Sequence, residues 1–108
     1  MKRPQNVLFV TADQWRADTA GFAGHPRVKT PNLDALAREA VVFTNHFAAS
    51  APCAPARASL YTGLHQMHHR VVGNDTPLSG RFDNVARLAR RAGLRPVLFG
   101  YTDTPADP

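Results

Sequence analysis

The sequence holds one cysteine in 108 residues, which excludes an internal disulfide framework and removes any redox ground for expecting secretion. Long hydrophobic runs are missing as well. The apolar stretch at residues 7–10 is too short for a signal-peptide core or a membrane span, and Met1 to Gln5 before it is polar. A cytoplasmic protein with no membrane partner is expected. Acidic residues are scarce, 8 against 13 basic ones, for a net charge of +5. A surplus of that sign suits phosphate-bearing partners when it is clustered. Here Arg81, Arg87, Arg90, Arg91 and Arg95 fall on and around one predicted helix and alternate with apolar positions, the pattern of a solvated face. Nucleic acid is therefore not expected as a partner. The competing class is a small, non-catalytic basic binding module in which the cysteine is structural.

What is present suits one globular domain, since 44% of the residues are hydrophobic. Residues 6–11 form a continuous apolar run rich in β-formers, the mark of a strand covered on both faces, and residues 95–101 repeat it. A weaker alternation at 42–47 predicts a third short strand. Between them lie two amphipathic helical patterns. In the first, Thr30 is the expected cap, Pro31 takes the first turn, and Leu33, Leu36, Ala37, Ala40 and Val41 share a face. In the second, Asp83 is the expected cap, Val85, Leu88, Ala89 and Ala92 point inward, and Gly93 ends the helix. Strands joined by helical crossovers pair in parallel, so the fold class is α/β with a mostly parallel sheet. Ligands of such sheets sit beyond the carboxyl ends of the strands, which is where Asp13, Gln14 and Tyr101 stand.

The lone cysteine lies in Pro52-Cys53-Ala54-Pro55-Ala56-Arg57-Ala58-Ser59-Leu60-Tyr61-Thr62-Gly63. Pro52 keeps the chain extended, Pro55 suits a first helical turn, and good helix formers follow. Cys53 is thus expected at a helix N-terminus, where backbone N–H groups and the helix dipole favour an anion and Arg57, one turn later, can point back. That arrangement suits a nucleophile and an oxyanion. His65, His68 and His69 follow closely, but the sequence has neither the Glu nor the second cysteine of a zinc motif there, so they are expected to line or flank the pocket.

Cys-x-Pro-x-Arg with Thr-Gly after four intervening residues resembles the signature of the sulfatase family, within the alkaline-phosphatase-like superfamily. Chance agreement at these five offsets is on the order of one in a million windows at average residue usage. The Asp13-Gln14 pair with the following Trp-Arg-Ala-Asp, the segment Thr30-Pro31-Asn32-Leu33-Asp34, Asn74, and Gly100-Tyr101-Thr102 resemble the phosphonate monoester hydrolase branch. Two departures stand out: Gln14 replaces a second acidic residue, and Asp103 occupies the place of a threonine.

The resemblance implies an alkaline-phosphatase-like sandwich of which residues 1–108 are the N-terminal portion, either of a longer enzyme or of a truncated, inactive paralogue. It implies oxidation of Cys53 to formylglycine by a maturation enzyme. A divalent metal, Ca2+ or Mn2+, would be held by Asp13, Gln14 and the modified Cys53, with Arg57 as a further catalytic residue. Asn74 and Tyr101 would bind a small anionic sulfate or phosphonate ester, and the full-length form is compatible with a homo-oligomer. The chemistry is reasonable on first principles. A thiol adduct of such an ester has no easy second step, whereas a hydrated aldehyde attacks with one hydroxyl and keeps the other to collapse the adduct.

Overall fold

A computed structural model describes residues 6–103; the polar start at 1–5 and the end of the loop at 104–108 lie outside the described residues. The chain separates into two compact units, Met1–Thr44 and Asn45–Pro108.

In the first unit, residues 6–12 are exposed, belong to no helix or strand, and lead into a turn at Asp13 and Gln14. A short 3-10 turn, Gly21–Ala23, and helix α1, Pro31–Glu39, follow. They are joined by a small polar network. Thr30 Oγ1 accepts the Gly21 N–H at 2.8 Å and donates to Asp34 Oδ1 at 2.6 Å, and the same carboxylate oxygen accepts the Phe22 N–H at 2.8 Å. A side chain on Gly21 would overlap the Asp34 carboxylate, so glycine is what lets the turn lie against the helix. Thr30 does not cap α1 with its side chain, because its hydroxyl is engaged by Gly21 and Asp34. The helix also stops before Ala40 and Val41, and its Leu36 is exposed, so the expected apolar face is shorter and more open than its periodicity suggests.

The second unit is built on helix α2, Cys53–Thr62, the short helix α3, Gln66–His69, and helix α4, Val85–Arg91. Its core consists of Ala54, Ala58, Val71 and Leu78, with Phe82 packed against them. The two alanines are fully buried, and their small side chains let the α2 backbone come close to Val71. Both polar groups of the buried Val71 backbone are met from α3. Its N–H donates to His69 Nδ1 at 3.1 Å, and its carbonyl accepts from Gln66 Nε2 at 3.1 Å, while Gln66 Oε1 accepts from Ser50. An unpaired backbone group at that depth would cost about 1–3 kcal/mol, so Gln66 and His69, three apart on one turn, are structural. His69 is buried rather than lining a pocket, which corrects the expectation from sequence. Because its Nδ1 accepts a hydrogen bond, the neutral ring carries its proton on Nε2, and that nitrogen lies 2.9 Å from Ser59 Oγ on α2.

Helix α2 ends at Gly63, whose φ of 70° places it in the left-handed region. Helix α4 ends in a Schellman arrangement: Gly93 N–H reaches the Arg90 carbonyl at 3.0 Å and Leu94 N–H the Ala89 carbonyl at 2.9 Å. Its cap is Asn84, which accepts the Arg87 N–H at 2.9 Å. Asp83, the cap expected from sequence, instead pairs with Arg91. Val85 and Leu88 are about half exposed, not inward-facing as their spacing suggests.

Among the described residues no β-ladder forms: the segments at 6–11, 42–47 and 95–101 carry no strand. The physical reason is that a strand exists by its ladder of inter-strand hydrogen bonds, and these segments, of which 42–47 turns at Thr44 and Asn45, have no such partners among the described residues. Their apolar side chains are correspondingly bare, Leu8 at 89% and Phe99 at 93% exposure.

Burial, followed by the charge of His68, holds the His69 imidazole below its usual value of 6.5. The folded state therefore prefers neutral His69, and the stability this contributes is present above about pH 6.5 and is lost as pH falls toward the lowered value. Urea midpoints measured from pH 7.5 to 5 should decline, and His69→Gln should show a shallower decline than the parent chain.

Candidate active site

Cys53 is the first residue of α2, half-buried and free of any disulfide. The helix end it occupies is sparer than the sequence implies. Pro55 has no N–H, the Ala56 N–H is spent on the Pro52 carbonyl at 3.1 Å, and the Ala54 N–H donates to Asn74 Oδ1 at 3.1 Å. Among the described residues only the Cys53 N–H is left for a ligand, so charge there falls to side chains and to the helix dipole.

Asn74 arrives from the turn closed by Thr76 N–H on the Gly73 carbonyl. Its bond to Ala54 also settles how the amide is turned. A backbone N–H requires an oxygen, so Oδ1 faces α2 and Nδ2 is presented as a donor. This role spans 20 residues of sequence, and no local signal announces it.

Arg57, one turn beyond Cys53, reaches a different segment. Its Nη1 donates to the Tyr101 carbonyl at 2.9 Å, and its guanidinium carbon lies 4.6 Å from the centroid of the Tyr101 ring. Four of the residues singled out from sequence are thus brought together in pairs within the second unit: Cys53 and Asn74 at the opening of α2, Arg57 and Tyr101 one turn along. Helical spacing puts Arg57 one turn from Cys53, whereas its contact with Tyr101 is something that spacing does not foretell.

Asp13 and Gln14 belong to the first unit. Both are exposed in a turn directly after the apolar segment 6–12, and Gln14 has a φ of 51°, uncommon for a residue with a side chain. Nearby, Arg16 is held by Asp18 through bonds of 3.0 and 2.5 Å, and that guanidinium lowers the Asp18 carboxyl below its usual value. Among the described residues no three His, Cys, Asp or Glu side chains gather as a metal-ligand group. The donors at 13 and 14 do fit a hard divalent cation in kind, since a carboxylate and an amide carbonyl are oxygen ligands. In number they make part of a shell.

Several basic side chains of the second unit are occupied internally. Arg87 donates to the Gly80 and Phe82 carbonyls, Arg81 lies over the Phe82 ring, and Arg91 pairs with Asp83. They brace the segment before α4.

The sulfatase family model matches residues 5–105, nearly the whole chain, and the protein belongs to the sulfatase family. The phosphonate monoester hydrolase of Agrobacterium radiobacter is 62% identical, with a TM-score of 0.85 over 91% of this chain and 19% of its own. The phosphonate monoester hydrolase of Silicibacter pomeroyi is 47% identical, with a TM-score of 0.89 over 97% of this chain and 21% of its own. A multifunctional alkaline phosphatase superfamily protein of Trinickia caryophylli is 48% identical over 96% of this chain and 21% of that protein. The chain therefore spans about a fifth of the length of these relatives. The likeness in structure to such hydrolases agrees with an α/β fold class.

The Asn74 cap generates a paired prediction. Asn74→Ala should lower stability by about 0.5–2 kcal/mol, the usual loss for a helix cap, whereas Asn74→Asp should hold or raise it, because a carboxylate accepts the same N–H at the positive end of α2. Urea unfolding of both variants measures the difference.

Proposed function

We propose that residues 1–108 form the N-terminal portion of a sulfatase domain, with a mostly parallel sheet flanked by helices, and carry the nucleophile of a metal-dependent hydrolase of sulfuric or phosphonic esters. The observation that supports this most is the surroundings of Cys53. It opens a ten-residue helix with its own N–H available, beside an amide donor from Asn74 and one turn from a guanidinium. Nothing about a merely structural cysteine calls for that company.

Each residue has a role in this reading. Cys53 is the site of oxidation to formylglycine by a maturation enzyme. When formed, that group supplies an aldehyde whose hydrate offers one hydroxyl for attack on sulfur or phosphorus and a second to restore the carbonyl. Arg57 and the helix dipole hold negative charge at position 53. Asn74 Nδ2 donates to a non-bridging oxygen of the ester, and Tyr101 forms a wall of the site. By the resemblance to sulfatases, Asp13 and Gln14 would supply oxygen ligands to a divalent cation, calcium or manganese. A bound divalent cation supplies Lewis-acid polarisation and eases loss of a hydroxyl proton. The net charge of +5 favours an anionic ester over a neutral one.

The relatives' names point to the same substrate range: phosphonate monoesters for the two solved structures, and ulvan for a sulfatase of Formosa agariphila that is 40% identical over 88% of this chain. No helix among the described residues is long and apolar enough to cross a membrane, and the proposed substrate is a small anionic ester.

Two experiments test the proposal. After coexpression with a formylglycine-generating enzyme, mass spectrometry of the Cys53 peptide should show loss of the thiol mass; an intact thiol under those conditions would remove the nucleophile from the scheme. The 108-residue chain alone should hydrolyse aryl phosphonates and aryl sulfates no faster than a Cys53→Ala control, because Asp13 and Gln14 supply only part of a metal shell and no general acid is assigned. Turnover clearly above that control would show that the segment suffices for catalysis.

A further inference from the structure

We infer that Arg57 is a positioning residue for Tyr101, latching the loop at residues 100–103 to helix α2 and so setting where the Tyr101 ring stands beside the proposed substrate site. This rests on the reading of Tyr101 as a wall of that site and adds to it the means by which the wall is held. A guanidinium is flat. Its donors radiate in the plane while its face is free to stack, so one arginine can bind a carbonyl with an edge and a ring with a face. Arg57 does both to the same residue: Nη1 is 2.9 Å from the Tyr101 carbonyl, and Cζ is 4.6 Å from the Tyr101 ring centroid. Backbone and side chain of Tyr101 are restrained together by a residue 44 positions away in sequence.

Burial does not hold that ring. Tyr101 is 58% exposed, it is not part of the core around Val71, and the residues leading to it, Val97, Leu98 and Phe99, are exposed too. The approach is also costly for an ordinary backbone, since Gly100 turns at a φ of 110° and Asp103 at 58°. With little apolar burial at Tyr101, a charge-assisted hydrogen bond and a cation–π contact from Arg57 are specific forces that hold this residue to α2. A lysine at position 57 would keep the positive charge near Cys53 but has no planar fork, so charge and latch can be separated by substitution.

The test uses the full-length enzyme of which these residues are proposed to be the N-terminal portion, carrying Arg57→Lys, Tyr101→Phe, Tyr101→Leu, or Arg57→Lys with Tyr101→Leu. Hydrogen exchange is followed by mass spectrometry at residues 97–103, with α2 as the internal reference. Arg57→Lys should speed exchange in that loop on the order of tenfold, Tyr101→Phe should match the parent, and Tyr101→Leu should fall between them. In kinetics on an aryl phosphonate or aryl sulfate, Arg57→Lys and Tyr101→Leu should each raise KM. The double variant should raise it no further than the worse single one, because both break one contact. Unchanged loop exchange in Arg57→Lys with α2 still protected, or additive KM effects, would overturn the latch. If α2 itself opens in Arg57→Lys, the exposed Tyr101→Leu variant decides: faster loop exchange supports the latch and parent-like exchange overturns it. Should no variant and no parent protein hydrolyse either ester, the hydrolase reading fails, while the exchange rates still decide for or against the latch.

Discussion

The second unit depends on how Val71 is buried against the alanine face of α2. A residue with no solvent exposure must have both backbone polar groups paired, and the chain meets this with Gln66 and His69 from one helical turn. With those satisfied, Ala54 and Ala58 can close over Val71 and Leu78. The small size of the alanines matters as much as their apolarity, since a larger side chain at either position would push α2 away from the stretch that carries Asn74. The position of Cys53 is thereby tied to a core made of very small contacts.

That arrangement explains an economy at the opening of α2. A helix N-terminus usually offers several N–H groups to an anion, but here a proline, an internal bond and Asn74 account for three of the first four. The loss is offset by side chains of definite polarity. Asn74 must turn its donor outward because its oxygen is claimed by Ala54, and Arg57 brings charge from one turn away. The two residues thus couple support of the backbone to the chemistry proposed for the site, which is why an aspartate in place of Asn74 would serve the first purpose and oppose the second.

Legibility from sequence follows the range of the interaction. The start of α2 at Cys53 and its end at Gly63 are readable because prolines and a glycine act locally, and so is the stop of α4 at Gly93. The α4 cap lies one position from where the sequence suggests, since Asp83 and Asn84 are both good caps and only the tertiary pairing of Asp83 with Arg91 separates them. His69 reads as a pocket residue in sequence because nothing in its neighbours reveals that Val71 needs an acceptor. The extended segments read as apolar and β-prone, but a ladder is a property of pairs, and one segment cannot show where its partner lies. The family signature around Cys53 is legible for a different reason: it is a fixed chemical requirement written into adjacent residues.

The partners of α2 also have an order in time. Asn74 lies 20 residues after Ala54, and Tyr101 lies 44 after Arg57. At a synthesis rate of about 5–20 residues per second, Ala54 waits about one to four seconds for its cap to be made, and Arg57 about two to nine for its ring. A nascent chain thus carries the whole of α2 before either of these two long-range partners of the helix has been made.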